Sequence, residues 1–157
     1  MFESFKKMFS ELSGDDGKHP AHYEENDYRL AAAALLVHAA TIDGSFSAVE
    51  RARLRSVVQQ RFELSDEQTD TLLADATEAE QQAIDLYKFT ARLNRSLDEK
   101  GRARVVEMMW QVVCADGVIT EFEDNLIWRA ADLLGISRNE RIALRERVMA
   151  AQRGGGG

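Results

Sequence analysis

The spacing of apolar positions divides this chain into helical segments, with almost no strand-like alternation. Helices are predicted over 26–42, 47–62, 66–80, 83–96, 99–115, 121–134 and 138–151. The stretch 30–42 carries no Asp, Glu, Lys or Arg, and 105–115 carries only Glu107. A helix that is apolar nearly all round must be surrounded by others, so these two are predicted to be central. Leu36, Val37, Val106, Met109, Trp110 and Val113 are expected to share one core. The remaining segments are amphipathic. Leu54, Val57, Val58, Phe62 and Leu64 interleave with Arg51, Arg53, Arg55 and Arg61, while Phe122, Leu126, Ile127, Ala130, Leu133 and Leu134 read as one face.

Helix starts are marked by capping boxes, in which a hydroxyl accepts from the third helical N–H and the third side chain returns the bond. Ser47-x-x-Glu50, Ser65-x-x-Gln68, Thr120-x-x-Glu123 and Ser137-x-x-Glu140 fit this pattern, and Asp98 is a fifth candidate cap. The only proline is Pro20, and the chain beyond it is rich in good helix formers. The fold class is therefore all-α, a compact bundle of about seven helices.

Each central segment is followed by related text. LLVHAATIDGSFSAVERARL pairs with MMWQVVCADGVITEFEDNLI, which aligns Asp43 with Asp116, Gly44 with Gly117, Ser47 with Thr120, Glu50 with Glu123 and Leu54 with Ile127. Dropping one residue from the second copy then aligns Phe62-Glu63-Leu64-Ser65 with Leu134-Gly135-Ile136-Ser137. Two such helix–turn–helix units are too few for an open solenoid, so they are expected to pack face to face about a pseudo-twofold axis.

Composition narrows the function. One domain of 157 residues can bury a sizeable core. A net charge of −7 argues against nucleic acid as the main partner. The lone Cys114 cannot form an internal bridge, which fits a reducing, cytoplasmic setting. No run is apolar enough to span a membrane. Residues 1–12 form an amphipathic segment with Phe2, Phe5, Phe9 and Leu12 on one stripe, suited to docking on the domain or a second chain, or to weak membrane-surface contact. Residues 13–25 read as a linker, 26–152 as the helical domain and 153–157 as a disordered glycine tail. Residues 63–85 hold eight acids and no Lys or Arg, whereas 138–153 hold five Arg against two Glu.

The repeated Asp-Gly-x-x-[Ser/Thr]-x-x-Glu is the most informative motif. Glycine caps and capping boxes account for much of it. They do not account for Asp43 and Asp116, which sit at helix C-termini where the dipole disfavours an anion. A cation nearby would accommodate them. Pairing of the halves would gather Asp43, Glu50, Asp116 and Glu123, an oxygen-only set suited to Ca²⁺ or Mg²⁺. The spacing is not that of an EF-hand, whose glycine is sixth in the loop.

On TIDGSFSAVE and CADGVITEFE, separated by a helical block, the chain resembles the TerB family of tellurite-resistance proteins over about residues 26–150. That resemblance implies a compact helical fold, a stress-response role in the cytoplasm or at the inner membrane, and a divalent-metal role for Asp43, Glu50, Asp116 and Glu123. A related helical domain precedes the J-domain of membrane-anchored co-chaperones, but here His19-Pro20-Ala21 lacks the aspartate of the J-domain signature.

Cys114, His38, Trp110 and Trp128 read as core or packed residues rather than ligands. No nucleophile–base set and no phosphate-binding glycine loop occurs, so a non-enzymatic module acting through protein partners is expected, with a homodimer compatible. The rival is a metal-independent interaction module using the acidic and arginine-rich helix faces. A metal-dependent hydrolase would need a water-activating group, for which only His38 offers itself.

Overall fold

The computed structural model describes residues 23, 27–42, 44, 46–82, 86–115 and 117–155. The amphipathic segment 1–12, most of the linker, and residues 156–157 lie outside them. Seven helices follow in order: α1 (Tyr28–Thr41), α2 (Ala48–Phe62), α3 (Asp66–Gln82), α4 (Tyr87–Ser96), α5 (Glu99–Val113), α6 (Glu121–Leu133) and α7 (Arg138–Gly155). No strand occurs among the described residues. The fold is an all-α bundle.

α1 and α5 are the central pair and pack on one another. α1 also packs on α2, α3, α4 and α6, and α5 on α2, α6 and α7. Leu36, Val106, Met109 and Val113 are fully buried, with Val37 and Trp110 nearly so. The caps form as the sequence implies. Ser47, Ser65, Thr120 and Ser137 each accept the N–H three residues on, at 3.0, 3.1, 3.1 and 3.1 Å. Asp98 caps α5 through Gly101 N–H, and Asp27 caps α1 through Arg29 N–H.

Aligned positions of the two segments share their burial. Glu50, Leu54, Val57 and Val58 are the buried residues of α2, and their aligned positions Glu123, Ile127, Ala130 and Ala131 are all buried on α6. Each half packs its central helix on its own second and third helices, α1 on α2 and α3, α5 on α6 and α7. The second helix of each half also packs on the central helix of the other.

Three expectations are corrected. Phe122 is 65% exposed and Leu133 38%, so they do not belong to the buried face of α6. That face centres on Glu123, Ala130 and Leu134, and at 100° per residue Phe122 sits roughly 110° from its middle. The stretch read as linker ends in a docked residue. Tyr23 is buried, its N–H donates to Asp75 at 2.7 Å and its hydroxyl to the Gln68 carbonyl at 3.1 Å, which ties it to α3. The tail read as disordered from 153 is helical to Gly155, because no proline or cap stops α7 at Arg153.

Candidate metal centre at the paired turns

α1 and α5 both end in a tight turn closed by a glycine. Gly44 and Gly117 have φ of 84° and 82°, and their N–H groups donate to the carbonyls of Thr41 and Cys114 at 3.0 and 2.9 Å. Positive φ strains a residue with a Cβ, so glycine is the favoured residue there. Three residues later the chain enters the next helix. Ser47 and Thr120 are extended, and the backbone N–H of each donates to Oε1 of its own third-position glutamate, at 3.1 Å for Glu50 and 2.9 Å for Glu123.

These glutamates are unusual for capping-box acids in being buried, Glu50 to 4% exposure and Glu123 to 1%. Burial penalises a carboxylate by several kcal/mol unless charge or hydrogen bonds offset it. The cap bond and the positive end of the helix supply part of that offset.

Asp43 and Asp116 lie outside the described residues. Of the four acids predicted to form one set, the structure therefore places Glu50 and Glu123, each in the first turn of its helix. α2 and α6 do not pack extensively on one another, since each packs on the central helix of the opposite half. Among the described residues no group of three or more His, Cys, Asp and Glu could hold a metal ion.

The surroundings of the two turns differ. At the first, Arg51 lies over the Phe46 ring at 4.5 Å, and His38 Nδ1 meets Glu80 Oε2 of α3 at 2.8 Å. At the second, Gln152 of α7 donates to the carbonyl of Cys114. His38 aligns with Gln111, and Glu80 aligns with Gln152 by the register that matches Ser65 to Ser137. The third helix of each half thus sends a polar side chain to the C-terminal end of its central helix, charged in one copy and neutral in the other. The sequence marks His38 as packed or hydrogen-bonded and does not single out its partner. The signal was present in the shifted register of the repeat.

Glu107, the one acid of residues 105–115, is also partnered. Glu107 Oε1 faces Arg61 Nη2 of α2 and Oε2 faces Arg147 Nε of α7, both at 3.5 Å. Trp128 is half-buried beneath Arg141, whose guanidinium lies 4.0 Å from the ring centroid, and Arg145 lies over Trp110 at 5.5 Å. Much of the arginine-rich end is thus engaged with tryptophan faces. Cys114 is buried and has no disulfide.

No helix among the described residues is long and apolar enough to cross a membrane. A solved structure of a protein of unknown function from Porphyromonas gingivalis W83 is similar in fold. It superposes with a TM-score of 0.57 at 21% identity, over 80% of this chain and 98% of the other. A search of curated proteins gave no match. The family model described as tellurite resistance protein TerB matches residues 29–146, which take in both central helices, both glycine turns and both capping boxes. The chain belongs to the TerB family.

Proposed function

We propose that this TerB-family chain is a non-enzymatic stress-response module of the cytoplasm, which binds a hard divalent cation and works through protein partners. Asp43, Glu50, Asp116 and Glu123 are its ligands. The observation behind this reading is the pair of buried carboxylates, Glu50 and Glu123, at aligned positions beside aligned Asp-Gly turns. A cation held with the neighbouring aspartates offsets their burial and the unfavourable dipole at the ends of α1 and α5. Oxygen donors alone select Ca²⁺ or Mg²⁺ over softer ions. Calorimetric titration with Ca²⁺, Mg²⁺ and Zn²⁺ tests this. The expected result is saturable binding of Ca²⁺ or Mg²⁺, lost in Asp43→Asn with Asp116→Asn, in a protein that keeps its helical dichroism.

The segregation of charge favours a second reading, a metal-independent interaction module. α3 exposes Asp66, Glu67, Asp70 and Glu78, while α7 carries Arg138, Arg141, Arg145 and Arg147. A protein that binds no divalent cation, and melts alike in metal and chelator, leaves this reading in place of the first.

A further inference from the structure

The two halves are matched except for α4. This helix packs on α1 and α6. Under the doubled order its counterpart would pack on α5 and α2, and no such helix occurs among the described residues. The consequence is visible in side chains. Ala31 and Ala34 of α1 are buried at 4% and 0%, whereas their aligned residues on α5 are Arg104, which is exposed, and Glu107, whose side chain is 17% exposed. One stripe of α5, running through Lys100, Arg104, Glu107 and Gln111 at helical spacing, is covered by no further helix among the described residues, with Lys100 and Arg104 exposed and Glu107 and Gln111 half-buried.

That stripe is electropositive. Lys100 and Arg104 are exposed, and Arg61 and Arg147 flank Glu107 from either side. At 3.5 Å these are ion pairs rather than hydrogen bonds, so both guanidinium groups keep N–H donors for an incoming carboxylate. Four cations and one anion make this strip basic, the charge an acidic segment complements. A nucleic acid is disfavoured by the net charge of −7.

The chain itself carries a complementary segment. α3 exposes Glu67 and Glu78 along one stripe, and Asp70 between them is paired with Arg55 of α2 at 3.1 Å. From Glu67 to Glu78 is the same number of residues as from Lys100 to Gln111, about 16 Å of helix in each case. α3 packs on α1 and α2 and makes no extensive contact with α5, so it does not cover the basic strip of its own copy. We propose that the basic strip of α5 receives the acidic face of α3 from a second copy of this chain. The two surfaces differ, so the contact is head-to-tail and adds copies in series or in a ring. It does not depend on the cation reading.

Sedimentation velocity tests the proposal with the protein alone. At about 20 mM salt the mass should rise with concentration past twice the 17.7 kDa of one chain, and at about 500 mM salt it should fall back to one chain. Lys100→Glu with Arg104→Glu should be monomeric, and so should Glu67→Lys with Glu78→Lys, each checked for helical dichroism. Mixing the two variants should restore association, because each then offers the other an opposite charge at both surfaces. A wild type that stays monomeric at low salt overturns the proposal. So does association that survives either reversal, or variants that fail to associate when mixed.

Discussion

Glu63 and Gly135 hold the same backbone position in the two halves. Each follows the second helix of its half in the left-handed conformation, with φ of 53° and 75°. The bonds around them match. Leu64 N–H donates to the Gln59 carbonyl at 3.0 Å and Ile136 N–H to the Ala131 carbonyl at 2.9 Å, the wide loop of a Schellman cap in both cases. One half uses glycine there, and the other forces a glutamate into it.

The cost of that glutamate is measurable. A left-handed residue with a Cβ is strained by about 1–2 kcal/mol, partly offset by the greater freedom of glycine in the unfolded chain. Glu63→Gly should therefore stabilise the protein by about 0.5–1 kcal/mol, a rise in melting temperature of about 2–4 °C per kcal/mol for a domain of this size. Gly135→Ala should lower it by a similar amount, since a Cβ there meets nothing within 4 Å and only the backbone is strained. Thermal melts of both variants against wild type check the pair.

A buried and an exposed apolar side chain give a second contrast. Leu36→Ala on α1 removes a fully buried side chain and should cost about 2–5 kcal/mol. Phe122→Ser removes a larger side chain that is 65% exposed and should stay within about 0.5 kcal/mol. Urea midpoints separate these outcomes. A large loss from Phe122→Ser would return that residue to the core face.

Tyr23 sets an alkaline limit. Burial holds its phenol pKa above the ordinary value near 10, with the charge of Arg29 opposing and those of Asp27 and Asp75 adding. The neutral phenol is the form the fold prefers. Its contribution is complete below the unfolded pKa and is lost as pH rises through the higher folded one. Tyr23→Phe should cost about 1 kcal/mol near neutrality by removing the bond to the Gln68 carbonyl. It should also flatten the fall in stability above about pH 10. Denaturant melts at stepped alkaline pH, read with the ultraviolet absorbance of the phenolate, check both effects.

Helix starts and the central pair were readable in the sequence because their causes are local. A hydroxyl three residues before an acid makes a cap whatever lies around it, and an uncharged helix has to be interior. The face of α6 was harder to read. Phe122 lies four residues before Leu126, a spacing that fits the buried stripe, but the stripe is set by what α5 and α7 present and excludes it. The pairing of His38 with Glu80 spans the sequence between α1 and α3 and follows only from the tertiary approach of those helices. The docking of Tyr23 depends on Asp75, a buried acid of α3 that the acid-rich composition of 63–85 conceals among solvated ones. In the candidate site, the glycine turns and capping boxes could be read from spacing, whereas the burial of Glu50 and Glu123 could not.

That burial allows the two roles of Glu50 and Glu123 to be separated. A glutamine at either position keeps a carbonyl oxygen that can accept the N–H of Ser47 or Thr120, so Glu50→Gln and Glu123→Gln should retain the capping box. Removing a buried charge also removes its desolvation cost, so in chelator each variant should melt within a few degrees of wild type, or above it. Glu123→Ala loses the cap bond and leaves a cavity, and should cost about 2–3 kcal/mol more than the glutamine variant. The cation response divides differently. A ligand that binds only the folded state adds stability as RT ln(1 + [L]/Kd), so wild type should melt higher in millimolar Ca²⁺ or Mg²⁺ than in chelator. If the carboxylates are ligands, both glutamine variants should lose most of that shift while keeping their chelator melting points. If the glutamates only cap, glutamine and wild type should respond to metal alike. Melts of the four proteins, each with metal and with chelator, decide between a ligand and a cap at each turn.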